Sequence, residues 1–310
     1  MTPLRPGDSI GLVAPSFAAD PSVWTECRAL FQARGFDVIF FGYDAIPEGR
    51  MAAPDAIRAA HLQAAFADPR TAAVLCLRGG CGASRLLDRL DFDVIAASRK
   101  PFIGYSDATA LHMALRSRAG LASFHGPMAG DLVGYGDSES LDALLDTLTS
   151  AQSGMALTAQ PDHARPGHAA GPLVGGNLSV LTSLIGTPEF DMPEGAILLL
   201  EDVGEPDYRL DRALVQLIRS GVLARCGGVL FGDTIVAPGP IDTSLPEIAA
   251  PYLTALEGPV AFGLPVGHLR RNITLPLGTH VALDVSPGVV RIDWPDLWSG
   301  TAPNRRFAAE

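Results

Sequence analysis

Along the first half of the chain, apolar runs and mixed segments alternate in a steady rhythm. The runs "DSIGLVAPS", "FDVIFFG", "TAAVLCLRGG" and "KPFIGYS" read as strands. Each is followed by a stretch whose apolar residues recur at helical spacing, over 21–34, 54–67, Ala83 to Arg89 and Asp107 to Arg118. Strands alternating with helices in short units predict a parallel, doubly wound α/β sheet. Ligand chemistry in such sheets collects at the carboxyl ends of the strands. Ser16, the loop from Arg78 to Cys81, and Ser106 would then lie along one edge.

This rhythm stops between about Thr147 and Ala170, where "SAQSGMALTAQPDHARPGHAA" is small, polar and punctuated by Pro and Gly. Residues 151–170 therefore read as a linker between an N-terminal unit, 1–150, and a C-terminal unit, 171–310. The second unit has a different pattern. "NLSVLTSLIG", 207–220 and 245–256 are helical in spacing, while "GAILLLEDV", "CGGVLFGDT" and "GPVAFGLPVGH" read as strands. Two further strands flank Ser286-Pro287-Gly288 in "THVALDVSPGVVRIDW", a hairpin signal.

Composition narrows the class. The 310 residues are 47% apolar and 18% charged, with 33 Gly and 25 Pro, which is a globular chain with many tight turns. A formal net charge of -11 argues against a broad phosphate-binding face, so nucleic acid is not an expected partner. The N-terminus lacks a basic segment followed by a long apolar one, and no window nears the ~18 apolar residues of a membrane span, so the cytoplasm is the expected location. Cys27, Cys76, Cys81 and Cys226 are scattered, and neither Cys/His pairs at zinc spacing nor a calcium loop occurs; we expect no metal and no other cofactor.

Three places carry chemistry. "GYSDA" sets Ser106 between a strand and a helix, the form of a nucleophile elbow, in which the turn exposes Oγ and the helix start offers unpaired amides to an oxyanion. The competing use of Ser106 or Asp107 is to cap that helix. "LRGGCGAS" is a glycine-rich turn able to cradle an anion, though it lacks the spacing of a P-loop or a dinucleotide fingerprint. Its Cys81, in a sequence close to the G-x-C-x-G elbow of class I glutamine amidotransferases, is a rival nucleophile or simply a turn residue. Farther on, Glu201 ends an apolar run and His268 follows a Pro-Val-Gly lead-in. Alone, each reads equally as surface charge or idle loop histidine. Together with Ser106 they make a Ser-Glu-His set, the carboxylate orienting an imidazole that deprotonates the hydroxyl.

Seven ordered motifs spanning nearly the whole chain carry a resemblance: "GDSIGLVAPS" (7–16), "LRGGCGASRLL" (77–87), "GYSDATALH" (104–112), "HGPM" (125–128), "GPLVGGNLSVLTSLIGTP" (171–188), "LLLEDVGEPDYRLDRAL" (198–214) and "GHLRRNITLPLGTHVALD" (267–284). In these the chain resembles the LD-carboxypeptidases, a family grouped with the microcin C immunity peptidases. The resemblance implies an N-terminal flavodoxin-like or amidotransferase-like α/β domain, a C-terminal β-rich α/β domain, and a site closing between them. It implies Ser106 as nucleophile, His268 as general base and then acid, and Glu201 orienting the histidine. The amides of Asp107 and Gly80 would form the oxyanion hole. It further implies a metal-free homodimer that cuts an amide next to a D-amino acid, releasing D-Ala from murein tetrapeptides in cell-wall recycling.

Where the family commonly has an aromatic, this chain has Cys81. A substrate with a free carboxylate needs a cation, for which Arg78 and Arg85 are the candidates, and His125 is either a substrate contact or a loop brace. The segment from Asn177 to Pro188 has no Trp, Tyr or Phe on which a nucleotide base could stack, which favours a murein peptide over an aminoacyl-nucleotide. A non-catalytic protein that sequesters such adducts is the contrasting reading.

Overall fold

The computed structural model describes residues 1–150, 153–238 and 243–298. In the first half, strands and helices alternate as β1 (Ser9–Val13), α1 (Pro21–Gln32), β2 (Asp37–Phe41), α2 (Asp55–Ala67), β3 (Thr71–Cys76), α3 (Phe92–Ser98), β4 (Phe102–Gly104), α4 (Thr109–Ala119) and β5 (Ser123–His125). The five strands pair in parallel in the order β2-β1-β3-β4-β5. That is the flavodoxin-like order, whose switch point, with its ligand crevice, lies between β1 and β3. Local signals agree with the layout: Pro21 opens α1, the Asp91 carboxylate caps α3 by accepting from the Asp93 and Val94 amides, and Gly120 closes α4 in the left-handed conformation. The predicted helix over Ala83 to Arg89 is a 3-10 helix, and the one predicted from Asp107 starts as a 3-10 turn at Ser106–Ala108 before α4.

Two further helices, α5 (Ala129–Tyr135) and α6 (Ser138–Thr149), precede the second half. That half contains β6 (Gly154–Thr158), β7 (Gly167–Asn177), α7 (Leu178–Ser183), β8 (Ala196–Glu205), α8 (Asp207–Arg219), α9 (Val222–Arg225), β9 (Cys226–Val236), α10 (Leu245–Ala249), β10 (Val260–Gly267), β11 (Leu275–Leu277), β12 (His280–Ser286) and β13 (Val289–Asp293). Its sheet runs β10-β9-β8-β7-β12-β13-β6, with β7 to β10 parallel and the β12–β13 hairpin and β6 antiparallel.

The segment expected to be an irregular linker is ordered differently: it contains β6 and the start of β7. β6 is an edge strand with only Leu157 buried, so no apolar alternation marks it in the sequence. The two halves are also interleaved. β11, from the C-terminal half, pairs antiparallel with β5 and becomes the outer strand of the first sheet. One apolar cluster runs from Leu111 and Leu115 of α4 through Leu178 and Leu181 of α7 to Leu198 of β8. Among the described residues, no helix is long and apolar enough to cross a membrane.

Candidate active site

β4 is buried at every position and leads through Tyr105 directly into Ser106. The backbone of Ser106 has φ +58, a left-handed conformation that is uncommon outside glycine and that turns the side chain out at the sharp strand-to-helix corner. Ser106 itself does not act as the cap, as no amide of the following turn bonds to its hydroxyl. Its Oγ lies 3.0 Å from Nε2 of His268, and His268 Nδ1 lies 2.5 Å from Oε2 of Glu201.

Glu201 comes from the second sheet, where it pairs with Asn177, the last residue of β7. The apolar run before it is the buried face of β8, and the strand continues past it, so the carboxylate is 1% exposed instead of opening a solvated loop. Burial opposes its charge, but His125 and His268 outweigh that penalty and hold its carboxyl well below the usual range. His268 follows β10 directly. Burial disfavours its protonation, yet the Glu201 carboxylate, helped by Asp202 and Asp131, more than compensates and raises its pKa above the ordinary histidine value. Because an ionised carboxylate only accepts, Nδ1 carries the proton, Nε2 is bare, and the Ser106 hydroxyl donates to it.

The glycine loop lies against the elbow. A Cβ at Gly79 would sit 3.2 Å from Ser106 Oγ and from Met128 Cε, a tight contact that a neighbour would have to relieve by a few tenths of an ångström. Gly80 has φ +128, and a Cβ there would overlap the Phe17 ring. The Gly79 carbonyl accepts from the Phe17 amide at 3.3 Å; in a trans peptide the Gly80 N–H then points the opposite way. The Asp107 side chain, buried beneath the corner, accepts from Ser16 Oγ at 2.5 Å and from the Ala83 amide at 2.8 Å. It thereby ties the β1 loop and the glycine loop to the elbow.

A cleft of about 360 Å³ opens over these groups, lined among others by Arg78, Gly80, Ser106, Met128, Asp131 and His268. Arg78 reaches its rim and donates to the Ala18 carbonyl at 2.9 Å. Two expected contacts lie elsewhere. Arg85 is exposed and outside the cleft lining, because Ala83 and Leu86 take the inward positions of its 3-10 turn. His125 is 0% exposed and sits beneath the site against Glu201, 4.0 Å from Nε2 to Oε1, away from any substrate. Cys81 is exposed and also outside the lining, with no side chain hydrogen-bonded to it among the described residues.

Sequence reasoning missed several supporting residues. Arg58 is a fully buried arginine whose guanidinium donates to the carbonyls of Pro15, Ala53 and Gly82, holding two loops at the strand ends. On an amphipathic helix it carried no distinguishing mark. Asp131 lies at the cleft, and burial raises its pKa. Asp202, beside Glu201, accepts from Asn177 and Ser179 and fixes the end of β7 against β8. Among the described residues no group of three or more His, Cys, Asp or Glu is placed to hold a metal ion.

Family models match both halves: the LD-carboxypeptidase N-terminal domain over residues 10–126 and the LD-carboxypeptidase C-terminal domain over 170–283. A putative carboxypeptidase of Streptomyces coelicolor is 38% identical over 306 residues, 96% of each chain. The murein tetrapeptide carboxypeptidase of Pseudomonas aeruginosa is 35% identical, covering 89% of this chain and 92% of its own. A more distant relative, the microcin C7 self-immunity protein of Escherichia coli, is 26% identical over 91% of this chain and 92% of its own. The crystal structure of muramoyltetrapeptide carboxypeptidase from Oxalobacter formigenes superposes with a TM-score of 0.84 at 31% identity, covering 93% of this chain and 99% of that one. The class so defined is a two-domain α/β fold shared with carboxypeptidases. This chain belongs to the LD-carboxypeptidase family.

Proposed function

We propose that the protein is a serine-type LD-carboxypeptidase that releases the terminal D-Ala from murein tetrapeptides in cell-wall recycling. The observation that carries this reading is the hydrogen-bonded line from Ser106 through His268 to Glu201, set beside the glycine loop. In the reaction, Nε2 of His268 takes the Ser106 proton as Oγ attacks the scissile carbonyl. The oxyanion is met by the amides of Asp107 and Gly80, each such donor being worth ~3 kcal/mol in comparable sites. The C–N bond then breaks, and His268 returns the proton to the departing amine. Water enters, His268 takes its proton, and the acyl-serine is hydrolysed. Glu201 keeps the imidazole oriented and stabilises its charged form throughout. Arg78, at the rim of the cleft, is the cation for the carboxylate of the leaving residue.

Murein peptide is favoured over an aminoacyl-nucleotide because the segment after Asn177 forms α7, whose Leu178 and Leu181 face the core, and offers no aromatic platform. In this reading the protein works in the cytoplasm as a homodimer, as the family resemblance implies. Mass spectrometry with L-Ala-γ-D-Glu-meso-diaminopimelate-D-Ala tests the reading. Wild type and Cys81→Ser should yield tripeptide, while Ser106→Ala should lose at least about 10³-fold in turnover. The reverse pattern would establish a cysteine hydrolase, and tight binding without tripeptide would leave only a sequestering protein.

A further inference from the structure

Two buried histidines lie next to each other behind the site, and the protein treats them differently. His112 is fully partnered: its Nε2 donates to the Gly104 carbonyl at 2.9 Å, and its Nδ1 meets Ser123 Oγ at 2.7 Å. His125, its neighbour at 6.5 Å between ring centroids, has no hydrogen-bond partner on either nitrogen among the described residues. Buried polar groups are nearly always paired, so an imidazole with two orphaned nitrogens calls for an explanation. A second orphan faces it. Oε1 of Glu201, the oxygen that His268 does not use, is also unpartnered and lies 4.0 Å from His125 Nε2. An approach of about 1 Å brings the pair into ordinary N–H···O range.

Backbone pairing holds His125 at this spot. As the last residue of β5 it pairs with Gly104 of β4, two residues before Ser106, and with Leu275 of β11, seven residues after His268. The Tyr105 ring packs against both imidazoles, with its centroid 5.8 Å from His125 and 4.7 Å from His268. Glu201 therefore enters from the second sheet between two histidines, one directed at each oxygen.

Resting on the serine mechanism proposed above, we propose that His125 is a positioning residue for that reaction: neutral and protonated on Nε2, it donates to Oε1 of Glu201. This hydrogen bond closes as the site engages substrate. It stops the carboxylate from rotating, which keeps Oε2 in line with His268 Nδ1, and it takes up part of the buried charge. His112 has spent its donor on Gly104, and Asp202, Asp131 and the Tyr105 ring bring no cation.

The test compares His125→Phe, which keeps the ring and removes both nitrogens, with His125→Gln, which retains a donor. For His125→Phe, kcat should fall about ten- to hundredfold with KM little changed, the rate equivalent of one hydrogen bond to a charged group. With Oε1 bare, more of the carboxylate charge acts on His268, so the acid limb of kcat, which reports the substrate complex in which the bond has closed, should move to higher pH. His125→Gln should restore most of kcat and the wild-type limb. Mere packing by His125 would instead loosen the Glu201 contact and move the limb down. A folded His125→Phe with wild-type kcat, or a limb that stays or moves down, would overturn the inference. Should neither variant fold, long-range 15N NMR of the wild-type imidazoles decides, since a bare Nε2 on His125 is incompatible with it. Turnover surviving in Ser106→Ala would instead remove the mechanism on which it rests.

Discussion

At the scale of single residues, the site depends on where protons reside. His268 must be neutral at Nε2 to accept from Ser106, and Glu201 raises its pKa above the ordinary histidine value. In the proposed mechanism the base is thus protonated and idle at low pH, and kcat/KM should climb through a pKa above ~6.5. Glu201→Gln removes the carboxylate, so the residual activity should titrate lower, with burial then the dominant influence; a pH–rate profile of the two proteins checks this. How legible these residues were depends on their surroundings. Ser106 was recognisable because a strand, a corner and a helix follow one another within a few positions. Glu201 and His268 were ambiguous taken singly, since a carboxylate after an apolar run looks the same whether the strand stops or continues beside it. Only their shared occurrence in the family motifs paired them. His125 stayed open between substrate contact and loop brace for a physical reason: whether a histidine beside Gly-Pro faces a cleft or the underside of a carboxylate depends on a strand, β11, more than a hundred residues away.

At the scale of elements, close backbone approaches set the geometry. Gly267 ends β10 at φ +119, and a Cβ there would fall 2.9 Å from Oε2 of Glu201 and 3.0 Å from its Cβ. Gly267→Ala should therefore do two things: cost about 1–3 kcal/mol of stability from backbone strain, seen in urea unfolding, and push Glu201 off His268, lowering kcat more than it raises KM. The alternating strands and helices of the first half were readable because each βα unit repeats the same change of period. The connector over 151–170 was misread because an edge strand such as β6 buries so little that its sequence keeps no strand signature. Helical spacing likewise does not separate a 3-10 turn from an α-helix over a few residues, so the sequence marks Ala83–Arg89 as helical but not as the 3-10 type it takes.

For the whole molecule, the two units suggested by the sequence and matched by separate family models share one apolar cluster, and the second lends a strand to the first. The Asn177 amide donates to Thr109 Oγ at the start of α4, adding a polar tie beside the elbow. These links should make unfolding a single event: calorimetry is expected to show one transition, with its calorimetric and van't Hoff enthalpies in agreement. Two resolved transitions would mean that the halves are held more loosely than the shared core implies. The position of β11 also orders events in time. During synthesis Ser106 leaves the ribosome early, but Glu201, His268 and the strand that completes the first sheet emerge only after most of the chain has been made. A nascent chain thus carries Ser106 for a long interval without Glu201 or His268 beside it, so on the proposed reading the site comes into being all at once, late, when residue 277 is placed beside β5.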